Sequence, residues 1–358
     1  AYPDGEFVGI DINPDHVKKA RRLAERGELK NVQFQEGDVL ELDPSGFSSF
    51  DYCSISGVYS CLDSERRTAT RQFISSVIKP GGLVYLGYSS QPGVAQVGPL
   101  YHMLRELGST FSGTSADKLT AAAKHLEEMR KNDARFFKIH PVAASRLKTI
   151  LQNPAEDEAH EVFNLQGSGL WSNVVINEMD QAGFSYVGNV GLHHHLPMLT
   201  SGTDTLWQES DLPVALQQMQ FDIKWNVAQR RDVYIRTNAA DDSGNLSEIL
   251  KDVPVYAMPE ALAPQQRQKL KTHFPNYDFC SAAATEFALA ASTSVTFSEL
   301  FQKLTSKGEP VEKWEEVARY FIAARLVSLA AGPPRVAGHV TGFRMGSTLN
   351  NLILIDDI

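Results

Sequence analysis

The feature that most constrains this chain is an alternation in its first ninety residues, where short apolar runs ending in an acid or a glycine turn are separated by stretches of helical spacing. The run EFVGID, residues 6–11, reads as a buried parallel strand ending in a carboxylate, and DHVKKARRLAERG then places apolar residues at helical intervals. NVQFQEGDVLEL repeats the unit, with Val32 and Phe34 on a short strand and Asp38 just past its end. FDYCSISGVYSCLD gives a third strand from Phe50 to Ser56, broken at Gly57, with the helical stretch ERRTATRQFISSVIK behind it. A turn at Pro80-Gly81-Gly82 then leads into a strand through Tyr88 and a loop with Pro92 and Gly93. Units of this kind predict a parallel sheet wound by right-handed crossovers. Ligands of such sheets sit at the carboxyl ends of the strands, where Asp11, Asp38, Ser56, Gly57 and Tyr88 fall.

Two of these residues suit a nucleoside. A carboxylate at a strand tip accepts hydrogen bonds from both ribose hydroxyls, which gives Asp11 a role; the other reading is a helix cap, which Asn13 or Asp15 fills as well. Asp38, after Gly37, can accept the amino group of an adenine while the Val39 amide faces a ring nitrogen, or it can be ordinary turn chemistry.

FVGIDINP, VQFQEGDV, FDYCSISGVYSCL and IKPGGLVYLGYSSQPG resemble, in order and spacing, the motifs of class I S-adenosylmethionine-dependent methyltransferases that follow the glycine-rich loop. The last two, with AHEVFN (159–164), AGFSYVGNVGL and QRRDVYIR, resemble the subfamily with a methyltransferase regulatory region, which includes bacterial protein lysine methyltransferases. That subfamily has histidine where Ser56 stands, tryptophan at Cys61 and Asn-Thr-Tyr at Ser89-Ser90-Gln91. The glycine-rich loop, about twenty residues ahead of Asp11, would lie before Ala1.

The resemblance implies an α/β fold: a doubly wound Rossmann-like methyltransferase sheet with a helical lid insertion and a C-terminal, mainly α, winged-helix-like domain. The expected boundaries are 1–93 and 165–238 for the methyltransferase core, 94–164 for the lid or regulatory insertion, and 239–358 for the accessory domain. It implies S-adenosylmethionine as cofactor and S-adenosylhomocysteine as product, held by Asp11, Ile12, Asn13, Asp38, Val39, Ser56, Gly57 and Val58. Tyr59, Tyr88, His160 and Glu161 become candidates for the catalytic side, phenols and a carboxylate being able to orient an amine. Tyr59 serves equally as packing, and His160 and Glu161 as groups that hold a loop.

The acceptor stays open between a protein lysine amine and a small or carrier-bound metabolite. Three cysteines, Cys53, Cys61 and Cys280, form no disulfide framework and fit a cytoplasmic setting. A net charge of -9 argues against nucleic acid as partner, and no apolar run is long enough to span a membrane. Residues 239–358 carry eleven Lys and Arg against fourteen Asp and Glu, which suits docking or homodimerisation better than DNA recognition. His193-His194-His195 reads as a loop, since consecutive residues cannot all face one metal ion. Two other readings remain: a nicotinamide-dependent oxidoreductase, for which no Tyr and Lys pair follows the fourth strand, and a catalytically silent scaffold that kept the fold.

Overall fold

A computed structural model describes residues 5–164, 169–190, 211–237, 255–272, 277–294, 296–306, 308, 310–324, 326–329 and 352–356. The His193-His194-His195 run and the polar linker from Asp241 lie outside these residues. The described residues divide into two compact units, one drawn from 2–188, 212–238 and 343–358 and the other from 189–211 and 239–342.

The first unit opens with β1 (Glu6–Asp11), α1 (Pro14–Arg26), β2 (Val32–Glu36), β3 (Phe50–Ser56), α2 (Ser64–Val77) and β4 (Ile78–Ser89). After five helices between Gly98 and Asn164, α3 to α7, come α8 (Ser172–Gln181), β5 (Phe184–Asn189), α9 (Val214–Trp225) and β6 (Gln229–Arg236). Alternating Phe7, Gly9 and Asp11 face Val32, Phe34 and Glu36 in a parallel register, and Tyr52 to Ser56 run parallel to Leu83 to Gly87. The carboxyl ends of β1, β2, β3 and β4 therefore share one edge of the sheet. Helix starts match the sequence: Asn13 caps α1 by accepting from the Asp15 amide at 2.9 Å, Pro14 fills the first turn, and Asp63 caps α2 through the Arg66 amide at 2.8 Å. Cysteine 53, Ile55, Ile74, Val84, Leu86, Val175 and Met179 are buried between sheet and helices.

The full order is β2-β1-β9-β3-β4-β6-β5, where β9 is Leu352–Asp356. This strand runs antiparallel to both β1 and β3, pairing Glu6 with Asp356 and Tyr52 with Ile355. Residues 352–356, expected in the accessory domain, thus belong to the sheet, because the backbone edges of β1 and β3 pair there. Strand β6 also runs antiparallel to β4.

Helices α3 (Gly98–Ser109), α4 (Ser115–Lys131), α5 (Arg135–Ile139), α6 (Pro141–Gln152) and α7 (Ala155–Asn164) leave the sheet after the loop that follows β4. They enclose a core of their own around Leu104, Leu119, Leu126, Phe137, Leu147 and Val162. In that loop Gly93 lies against the backbone of Val227 and Ala228, so close that a Cβ would sit 2.4 Å from them.

The second unit holds β7 (Val255–Ala257), α10 (Pro259–Leu262), α11 (Pro264–Lys269), α12 (Ala282–Ala291), α13 (Phe297–Thr305), α14 (Val311–Ala323) and β8 (Val327–Leu329). Trp314, Phe287, Phe321 and Leu300 are fully buried in its core. Thr296 caps α13 as its position suggests. Helix α14 stops at Ala323, and Val327–Leu329 pairs antiparallel with Val255–Ala257.

Candidate active site

Asp11 closes β1 with its side chain 12% exposed at the shared sheet edge. Its Oδ1 accepts the Asn13 amide at 2.8 Å, and its Oδ2 lies 3.0 Å from His16 Nδ1. Because Asn13 itself caps α1, Asp11 is not consumed by the helix end. Two residues past β2, Asp38 Oδ1 accepts the Leu40 amide at 3.1 Å and Oδ2 accepts Arg66 Nη2 at 2.8 Å. That Arg66 hydrogen bond is the main reason the Asp38 carboxyl titrates below its ordinary range.

Between the two acids lies an apolar cleft of about 130 Å³, walled by Ile12, Val39, Leu42, Ile55, Val58 and Leu62 and edged by Arg66. A larger cavity of about 820 Å³ also opens onto Asp11, Ile12 and Val58. Gly57, in the left-handed region at φ 73°, turns the chain out of β3 so that Val58 and Cys61 reach this cavity. Asn13, His16 and Asp63 line it from the sheet edge, Thr114 and Ser115 from the start of α4, and Glu156, Ala159 and Phe163 from one face of α7. Apolar walls with a few convergent polar groups are the usual make-up of a small-molecule site.

The structure thus brings Asp11, Ile12, Asn13, Asp38, Val39, Gly57 and Val58 together. Ser56 ends β3 against Gly87 instead, where a glycine Cβ would meet its Oγ at 3.0 Å, and it lines neither cavity. Four candidates for the catalytic side fare differently. Tyr59 is 0% exposed, donates to Glu178 Oε2 at 2.8 Å and accepts from Arg71 at 2.8 Å; burial pushes its phenol far above the ordinary range. Tyr88, likewise 0% exposed, donates to Asp232 at 2.8 Å. Both phenols therefore belong to core networks and neither faces the cavity, a correction to their expected acceptor-positioning role. Glu161, its side chain half exposed, accepts from Tyr101 at 2.8 Å and pairs with Arg146 at 3.0 Å, while its neighbours Ala159 and Phe163 face the cavity. His160 lies on α7, its side chain outside the described residues.

Sequence reasoning missed Arg66, His16, Leu62, Thr114, Glu156 and Phe163. Asp63 and Arg66 flank the start of α2 at the spacing of a capped first turn, a signal that was present; the contacts from α4 and α7 depend on tertiary packing and have none.

Among the described residues, no group of three or more His, Cys, Asp or Glu could hold a metal ion, and no helix is long and apolar enough to cross a membrane.

A family model for a methyltransferase domain matches residues 1–167. An uncharacterised protein of Synechocystis is 28% identical over 241 residues, which cover 67% of this chain and 47% of that protein. The erythromycin 3''-O-methyltransferase of Saccharopolyspora erythraea is 37% identical over 82 residues, 23% of this chain and 26% of that enzyme. The chain spans about half the length, or less, of these curated relatives. PKMT2 from Rickettsia typhi shares the fold at a TM-score of 0.67 and 15% identity, covering 93% of this chain and 68% of that one. Its complex with AdoHcy superposes at a TM-score of 0.64.

Proposed function

We propose that residues 1–167, which match a methyltransferase-domain family model, act as a class I S-adenosylmethionine-dependent methyltransferase domain whose apolar cleft holds the cofactor's nucleoside while the adjoining cavity admits a methyl acceptor. One observation carries the reading: two carboxylates closing neighbouring parallel strands, Asp11 and Asp38, line a single cleft with apolar walls.

The residues fit that ligand. Asp11 keeps lone pairs beyond those taken by Asn13 and His16, and so can accept from ribose hydroxyls. Ile12, Val39 and Val58 offer flat apolar contact to a base, and Asp38 sits where an exocyclic amino group finds an acceptor. When bound, S-adenosylmethionine supplies a methyl group on a sulfonium, which a nucleophile takes by in-line displacement. The chain's own part is to align the acceptor and exclude water, which is why no catalytic triad is needed. Helices α4 and α7, which wall the cavity, act as a lid that selects the acceptor.

We read the acceptor as an amine, with a protein lysine as the candidate the subfamily resemblance suggests. Glu156 gives the cavity a carboxylate that draws a cation in, where an ammonium of ordinary pKa about 10.4 must lose a proton before attack. A small-molecule hydroxyl acceptor is the second reading, favoured by the match to the erythromycin enzyme. The second compact unit, residues 239–342, serves as a winged-helix-like docking or homodimerisation module. Incubating the full-length protein with methyl-labelled S-adenosylmethionine and either lysine-bearing proteins or small hydroxylated metabolites tests this. Label on lysine side chains supports the amine reading, label on metabolites the second, and no cofactor binding at all would return the chain to a silent scaffold.

A further inference from the structure

Arg66 stands in the first turn of α2 with its guanidinium between two carboxylates: Nη1 lies 3.0 Å from Asp63 Oδ2 and Nη2 lies 2.8 Å from Asp38 Oδ2. Asp63 is itself fixed, since its Oδ1 accepts the Arg66 amide at 2.8 Å and caps the helix. The other oxygen of Asp38 is held by the Leu40 amide at 3.1 Å. Both oxygens of Asp38 are therefore oriented, one by its own turn and one by the first turn of α2, and Arg66 and Asp38 line the same cleft. A planar guanidinium can reach two carboxylates at once, which an ammonium on a single stem cannot do with the same geometry.

We propose that Arg66 is a positioning residue for base selection, clamping Asp38 so that an acceptor-only carboxylate stands at the end of the apolar cleft. The inference rests on reading that cleft as the nucleoside site. A fixed, ionised carboxylate accepts a hydrogen bond from the 6-amino group of adenine and repels the 6-oxo group of hypoxanthine, which presents a lone pair. A swinging or protonated carboxyl would do neither consistently. The depressed titration of Asp38, caused first by the Arg66 hydrogen bond, keeps it in the acceptor-only state. Arg66 thus acts on the base through Asp38, and the part-buried pair gains a purpose beyond stability.

The test compares S-adenosylhomocysteine with S-inosylhomocysteine by calorimetry on the full-length protein, the readout being the ratio of their affinities. That ratio is insensitive to the fraction of protein that is folded. The wild type is expected to prefer the adenosyl ligand. Arg66→Gln is expected to shrink the preference by about tenfold, equivalent to about 1.4 kcal/mol. Arg66→Lys should recover part of it. Asp38→Asn should flatten the preference, and adding Arg66→Gln to it should change the ratio no further, since the two residues share one effect. An Arg66→Gln variant that weakens both ligands equally, or neither, overturns the inference. So does an additive double variant. A wild type that binds both ligands equally, with binding lost in Asp11→Ala, overturns the inference and leaves the nucleoside reading standing. A wild type that binds neither overturns both.

Discussion

His16 Nδ1 lies 3.0 Å from Asp11 Oδ2, so the first helix of the chain reaches back to hold the acid at the tip of the strand before it. The backbone amide of Asn13 holds the other oxygen at 2.8 Å. Replacing Asp11 by Ala removes a charged acceptor, and hydrogen bonds to charged groups contribute about 1.5–3 kcal/mol. S-adenosylhomocysteine affinity of the full-length protein should fall by about tenfold to a hundredfold. His16→Ala should weaken it less, because the Asn13 amide still orients the carboxylate. Calorimetry that shows Asp11→Ala binding as tightly as wild type removes Asp11 from the site.

Tyr59 and Tyr88 invite a catalytic role by position and lose it by environment. Each hydroxyl donates into a buried carboxylate, Glu178 and Asp232 respectively, and burial raises both phenols well above their ordinary range. Neither ionises near neutral pH. Tyr59→Phe and Tyr88→Phe should each lower unfolding free energy by about 1–3 kcal/mol, the cost of leaving a buried partner short of a hydrogen bond. Turnover per folded molecule should stay within a factor of about two for Tyr59→Phe; a drop of a hundredfold, or about 2.7 kcal/mol, would restore it to the chemistry.

Beneath the sheet edge, Arg230 is 1% exposed and binds Asp222 at 2.6 Å and Asp232 at 2.9 Å. Burial alone would lower its pKa; the charges of Asp232 and Asp222 reverse that and keep the guanidinium charged. Arg230→Ala strands two buried carboxylates and should cost about 3–5 kcal/mol in denaturant unfolding. Loss of less than about 1 kcal/mol would mean that water or a rearranged neighbour takes over the arginine's role.

Acid should loosen the site before it unfolds the core. Arg66 is the chief cause of the lowered Asp38 pKa, and the Ser45, Arg66 and Thr114 hydrogen bonds lower those of Asp43, Asp63 and Asp117. A carboxylate whose folded pKa lies below its unfolded one stabilises the fold above the unfolded value, and that contribution disappears as pH falls through the folded value. Melting temperature should therefore hold above pH of about 4.5 and decline below pH of about 4. Asp38→Asn should show a shallower decline; an identical pH profile would mean that the Arg66 pair does not differ between folded and unfolded chain.

The sheet edge was legible because strand patterning and acidic tips are local. Phe50 to Ser56 forms the strand its residues suggest, and Asp11 and Asp38 meet in one cleft because parallel pairing puts their strand ends side by side. Tyr59 was misread because nothing local announces Glu178, its partner 119 residues on. Helix α9 escaped notice since LPVALQQMQFDIKW mixes apolar and polar residues without a clean stripe. The placement of β9 between β1 and β3 could not be foreseen, since strand order at such sequence distance is decided by which edges are left to pair.

The helices between Gly98 and Asn164 bury their apolar side chains among themselves, and among the described hydrophobic residues ahead of Val97 only Cys61 packs against their core. Two interiors that share so little can change independently. Exchanges at Leu104 or Leu147 repack the layer to which α4 and α7 belong without disturbing how Ile55 or Leu86 fill the core of the sheet. A lineage built on this chain is thereby free to reshape the cavity beside α4 and α7 while the cleft between Asp11 and Asp38 stays as it was.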